Sequence, residues 1–245
     1  MIGEIRTSII IGVFIFFGTA LGGLAVPFIR RYFNRNHLYL NVFCGGILAG
    51  LLAFDLIPEV VSKYQHIGIV SGVSLGIFMM LLFEKYLHSA KHIESEYQET
   101  FFLLFLSLFI HSIPTGLALG LNLSEQHFYH PSLLIAILIH QIPEGMVLMV
   151  TALNSKQKVK KFIVFSCLLS FAVGLNTYLG MSIDLHSPKL QTMIMGIAIG
   201  SLSYVTFYEI LWKGFRSHQT IKMIIGACFG LVFLRVFLVF AGFGH

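Results

Sequence analysis

Eight runs of about twenty mostly apolar residues follow one another along this chain, each long enough to cross a bilayer. They fall at roughly Thr7–Ile29, Leu38–Val61, Gly68–Leu87, Thr100–Leu121, Pro131–Leu153, Phe162–Met181, Leu190–Trp212 and Ile221–Phe243. In hydrocarbon each backbone N–H and C=O must be satisfied within its own segment, so an isolated run of this kind is a helix. The expected fold is an all-α polytopic membrane protein with eight transmembrane helices. Charged residues make up 11% of the chain, against about a quarter in soluble domains, which excludes a water-soluble core of this size. The connections are short, so residues 1–245 read as a single transmembrane domain. The first run is too long for a signal peptide and Arg30-Arg31 close it, so it reads as a retained helix. Cys44, Cys167 and Cys228 sit in apolar runs without a CxxC and read as small buried hydrophobes.

Basic residues set the orientation. The connections after spans one, three, five and seven, with their flanks, hold twelve Lys and Arg: Arg30, Arg31, Arg35, Lys85, Lys91, Lys156, Lys158, Lys160, Lys161, Lys213, Arg216 and Lys222. The other side holds three, Arg6, Lys63 and Lys189, while Arg235 lies within the last span. The positive-inside rule therefore puts both termini outside, in a multi-pass protein of the plasma membrane. The net charge of +5 is explained by these loops, with no basic face for a nucleic acid. No GxxxxGK[ST] motif is present, so the chain has no ATP-driven machinery of its own.

Against this apolar background two related polar motifs stand out: His111-Ser-Ile-Pro114-Thr115-Gly116 in span four and His140-Gln141-Ile-Pro143-Glu144-Gly145 in span five. His140 and Glu144, four residues apart, share one helix face. Antiparallel neighbours joined by a short loop bring His111 and His140 to similar depth near the bilayer centre. Ionisable groups there are costly and usually functional. Pro114 and Pro143 free the carbonyls of Ile110 and Ile139, tolerated where backbone lines a cavity, and they are expected to kink both helices. Gly116 and Gly145 permit close helix approach. Two imidazoles with a carboxylate suit Zn²⁺, or Fe²⁺, Mn²⁺ and Cd²⁺, better than Mg²⁺ or Ca²⁺. The structural alternative is a hydrogen-bonded His140–Glu144 pair bracing a kinked helix, with the Ser112 and Thr115 hydroxyls bonded back to their own helix.

Other polar groups are ambiguous by sequence alone. Asp55 and Glu59, near the outer end of span two, either attract cations at an outer mouth or solvate a helix end. Glu209 near the inner end of span seven is a ligand or a snorkelling carboxylate. His88 and His92, with Glu94, Glu96 and Glu99, either handle metal at a cytoplasmic exit or form a solvated loop. Arg235 is expected to pair with a bundle carboxylate or reach an interface. An intramembrane metal-dependent enzyme or a metal sensor is the alternative use of the same residues, although His-Gln-Ile-Pro-Glu is not the HExxH of a metalloprotease. A haem carrier with His111 and His140 as axial ligands is a third.

The paired HxxPxG motifs, the Leu56-Ile-Pro58-Glu59 ending of span two and Gly200-x-x-x-Tyr204-Val205…Glu209 in span seven resemble the ZIP (Zrt-, Irt-like protein) family of divalent metal transporters across nearly the whole chain. The resemblance implies spans one to three and six to eight as inverted repeats around spans four and five, a 3+2+3 arrangement. It implies divalent metal transport toward the cytoplasm, with a transport block moving against a scaffold and no cofactor required. By position, His111, His140 and Glu144 match the main metal site, while Ser112, Gln141 and Glu209 match a second, adjacent one. Family members commonly carry Glu where this chain has Thr115, Asn at Ser112 and often an acid at Gln141, which points to a single-ion site of lower charge. The expected partners are Zn²⁺ or a similar divalent ion and the lipid bilayer, with homodimer formation open and no nucleic acid.

Overall fold

The computed structural model describes residues 2–32, 37–63, 66–89, 95–125, 131–157, 159–182, 188–217 and 221–240. Among these the chain is helical, with no strand. The first span is α1 (Ile2–Tyr32). The second is α2 (His37–Leu51), a π-helical segment (Leu52–Leu56) and α3 (Ile57–Lys63). α4 (His66–Ser89), α5 (Glu96–Glu125), α6 (Pro131–Asn154) and α7 (Val159–Ser182) follow. α8 (Pro188–Ser203), a second π-helical segment (Tyr204–Trp212) and α9 (Lys213–Ser217) form one continuous rod, and α10 (Ile221–Phe240) completes the order. Seven of these rods are long and apolar enough to cross a membrane: Gly3–Phe28, Tyr39–Ser62, Ile67–Ser89, Tyr97–Leu121, Val159–Ser182, Lys189–Arg216 and Ile221–Phe240. The remaining long helix, α6, has 24 residues, and the side chains of residues 131–140 lie outside the described set. The helices run on through Pro114 and Pro143.

The second and seventh spans are central. In their apolar windows 72% and 67% of residues are buried, against 22% in both α4 and α10. Leu51, Leu52, Leu104, Leu108, Val147, Leu148, Leu202 and Val205 form the middle of the core. Outward faces carry large apolar side chains, among them Phe17 and Leu24 of α1, Phe171 of α7 and Phe229 and Phe240 of α10. Apolar surface on this scale fits a hydrocarbon solvent and not water. For the same reason Cys167 and Cys228 are exposed, contrary to the expectation from sequence, while Cys44 is buried. Lipid is as apolar as a core, so an apolar run does not tell which of its residues face inward.

The broadest helix contacts join α1 to α6, α5 to α7, α4 to α8, α2 to α10, and α1 to α7. Two seams position the motifs. A Cβ on Gly145 would stand 2.2 Å from the Thr19 carbonyl oxygen of α1, and one on Gly116 would stand 2.7 Å from the Val173 carbonyl oxygen of α7. Only glycine allows backbones this close. Both motif glycines therefore press the backs of α5 and α6 against outer helices, as the sequence led us to expect.

Candidate metal centre

His111 lies at the middle of α5 and Glu144 at the middle of α6, exposed by only 5% and 4%. Across the α5–α6 contact His111 Nε2 stands 3.7 Å from Glu144 Oε1. Two ligands each about 2.1 Å from a tetrahedral Zn²⁺ are about 3.4 Å apart. The observed 3.7 Å corresponds to an N–metal–O angle of about 120°, so the pair fits one ion with little movement. Helical geometry puts His140 one turn from Glu144 on the same face of α6, although its side chain lies outside the described residues. Among the described residues, which exclude the His140 side chain, no three His, Cys, Asp or Glu side chains converge.

The neighbouring hydroxyls are engaged locally. Thr115 Oγ1 donates to the His111 carbonyl at 2.9 Å and lies 3.4 Å from His111 Nε2, so it also borders the site. Ser112 Oγ donates to the Phe109 carbonyl at 2.7 Å, the back-bonded arrangement weighed as the structural alternative. Gln141 is buried on α6.

Glu209 is placed elsewhere. Its Oε2 accepts a hydrogen bond from Thr100 Oγ1 at 3.2 Å, and its Oε1 lies 2.6 Å from Lys213 Nζ. Thr100 precedes His111 by eleven residues on α5, which at 1.5 Å per residue is about 16 Å along the axis. Glu209 thus belongs to a second polar cluster where the C-terminal end of α4, the start of α5 and α9 meet. Lys213 also bonds Glu84 Oε1 at 3.1 Å, and the Tyr204 hydroxyl donates to Glu84 Oε2. At the same end His88 Nδ1 is 3.3 Å from Glu99 Oε2, with the imidazole 82% exposed and the carboxylate buried. His92 lies outside the described residues. Lys213 and Thr100 did not register as site residues from sequence. The available signal was the Glu209–Lys213 spacing of four, which on a helix makes an ion pair.

Asp55 sits half-buried in the first π-helical segment. Its neighbour Phe54 carries the Arg235 guanidinium 5.3 Å above its ring, a cation–π contact between the second span and α10. The Glu59 side chain is outside the described residues. Both π-helical segments thus hold a carboxylate, Asp55 or Glu209. Such segments are frequent at functional sites.

A family profile described as ZIP Zinc transporter matches residues 92–244. Among curated proteins, the chain is similar to Zinc transporter ZIP1 of Bos taurus and of Mus musculus, each 31% identical over 145 residues, and to that of Homo sapiens, 29% identical over 144 residues. Each match covers 57% of this chain and 40% of the relative, so the shared part is less than half of those proteins. A profile match over more than half of the chain, on an all-helical apolar scaffold that brings the two motif-bearing helices together, identifies it as a member of the ZIP zinc transporter family.

Proposed function

We propose that this chain carries divalent transition-metal ions, Zn²⁺ foremost and Fe²⁺, Mn²⁺ and Cd²⁺ beside it, toward the cytoplasm without ATP. The ion sits between α5 and α6, held by His111, His140 and Glu144, with Thr115, Ser112 and Gln141 bordering it. The observation that carries this reading is the His111–Glu144 pair, 3.7 Å apart and almost wholly buried on facing helices. A buried imidazole–carboxylate pair at this depth is costly, and a cation between them offsets that cost.

In this reading residues 1–245 are one transporter of eight spans arranged 3+2+3 in the plasma membrane, with both termini outside. Support for the inverted repeat comes from the contacts. Exchanging span one with six, two with seven, three with eight and four with five turns the α1–α6 contact into α5–α7 and α2–α10 into α4–α8. The smaller α5–α8 and α2–α6 contacts exchange as well, and each π-helical segment, in span two and span seven, has its counterpart.

The same contacts separate two blocks. The broadest contacts fall within α1, α5, α6 and α7 on one side and within the α2–α10 and α4–α8 pairs on the other, with the α5–α8 and α2–α6 contacts crossing between them. The candidate ligands all lie in the first block. Rigid movement of that block against the second carries the ion between the two sides, as in transporters with sites at a repeat interface. In this reading Asp55 serves the outer mouth, and His88 and Glu209 serve the cytoplasmic exit, while the Glu59 side chain and His92, the other residues expected there, lie outside the described residues.

Uptake of a divalent-ion panel into proteoliposomes tests the reading, with His140→Ala and Glu144→Ala beside the parent. Uptake by the parent and its loss in both variants is expected. Equal uptake by all three would sink the site assignment, and a parent inert toward every ion would sink transport itself.

A further inference from the structure

The cluster 16 Å or so along α5 from His111 has its own cation already in place. Lys213 Nζ lies 2.6 Å from Glu209 Oε1 and 3.1 Å from Glu84 Oε1. The remaining carboxylate oxygens accept from Thr100 and Tyr204, so each of the four oxygens faces a donor. This set is assembled by the π-helical segment. Its wider turn brings residues five apart into register, so Tyr204 and Glu209 share a face with Lys213 following at the next turn.

The cluster also lies on a line with the candidate metal centre. Thr100, Ser107 and His111 stand at offsets of seven and four on α5, which puts them on one helix face. The Ser107 hydroxyl between them is wholly buried with no hydrogen-bond partner among the described residues. The same holds for the Thr206 hydroxyl, one turn before Glu209. Buried hydroxyls with no partner among the described residues are available to bond a passing ion or its water.

Resting on the transport reading above, we propose that Lys213 is a specificity-determining residue of the ion path: its ammonium occupies the Glu84–Glu209 pair and yields only to a divalent ion. The two carboxylates carry two negative charges and the ammonium neutralises one. A potassium or sodium ion taking its place would bring no more charge than Lys213 does. It would also compete from solution against a tethered group whose effective concentration is millimolar or higher. A divalent ion brings twice the charge, and hence twice the Coulomb attraction at equal distance. Lys213 then swings aside, the ion passes the pair, and the ammonium returns behind it. The filter acts on cargo leaving the His111–Glu144 site and needs no additional ligand.

The test is Zn²⁺ uptake into proteoliposomes holding potassium chloride on both sides, or N-methylglucamine chloride as the inert salt. The parent is expected to take up Zn²⁺ equally in both. Lys213→Met, which keeps length and loses charge, is expected to be slowed at least threefold by potassium, and Lys213→Arg to recover the parent's indifference. Glu84→Gln leaves a single carboxylate neutralised by Lys213 and no net attraction, so uptake should fall at least tenfold in either salt. Potassium without effect on Lys213→Met, or full uptake by Glu84→Gln, overturns the filter. If Lys213→Met does not fold, the Glu84→Gln result decides alone. A parent that transports while these variants behave like it removes only the role of Lys213. A parent without uptake in either salt removes the transport reading and the filter together.

Discussion

Gly145→Ala puts a single methyl group into one of the tightest helix contacts next to the candidate ligands. The added Cβ would lie 2.2 Å from the Thr19 carbonyl oxygen and 2.6 Å from Thr19 Cα, both rigid backbone atoms of α1. Ordinary carbon contacts are about 3.5–4.0 Å, so α6 must retreat from α1 by about 1 Å or more. A gap of that size forfeits a quarter to a half of the dispersion energy across one of the broadest helix seams in the molecule. Overpacking of this kind costs about 1–3 kcal/mol. At about 2–4 °C per kcal/mol for a chain of this length, the melting temperature in detergent should fall by roughly 5 °C. The control is Gly226→Ala on α10, where the new Cβ meets only the Tyr39 carbonyl oxygen at 3.9 Å. With room available, that change should be neutral or stabilising by up to about 1 kcal/mol through helix propensity. Because Glu144 precedes Gly145, the retreat of α6 should also reduce metal uptake, while Gly226→Ala keeps the parent rate. Equal melting temperatures for the two variants would refute the claim that the motif glycine is there for backbone approach.

Three further outcomes follow from the site geometry. His111→Ala and Glu144→Gln should each abolish most Zn²⁺ binding, and the double variant should be no worse than either alone, because groups 3.7 Å apart hold one ion; strictly additive losses in a calorimetric cycle would show independent roles. Thr115→Glu should tighten Zn²⁺ binding, since position 115 already borders His111 Nε2 at 3.4 Å; an unchanged dissociation constant would mean a carboxylate there cannot reach the ion. Zn²⁺ at a hundred times its dissociation constant should stabilise the parent by about 2.7 kcal/mol, and chelation should reverse this; the same rise in melting temperature for Glu144→Gln would place the stabilising ion elsewhere.

The membrane-spanning helices were legible from sequence because a bilayer imposes their length and helicity on any apolar run. The sequence span Phe162–Met181 lies inside the observed Val159–Ser182, and Gly68–Leu87 lies inside His66–Ser89. His111 and Glu144 were legible as well, since ionisable groups are rare in such runs and these two sit in duplicated motifs. The helical register of His140 and Glu144 needs only the 3.6-residue turn.

Partners across helices were decided by the tertiary structure alone. Span order does not say which helices touch, and Gly145 facing Thr19 or Gly116 facing Val173 comes from packing. Nor does an apolar run distinguish lipid from core, which is why Cys167 and Cys228 face outward while Cys44 is buried. Glu209 shows the limit most clearly. Its place in the motif of span seven associated it with the metal site, whereas the π-helical turn directs it to Lys213, Glu84 and Thr100. A π turn shifts every following side chain around the helix, and the long-range contacts that stabilise it are absent from the local sequence pattern.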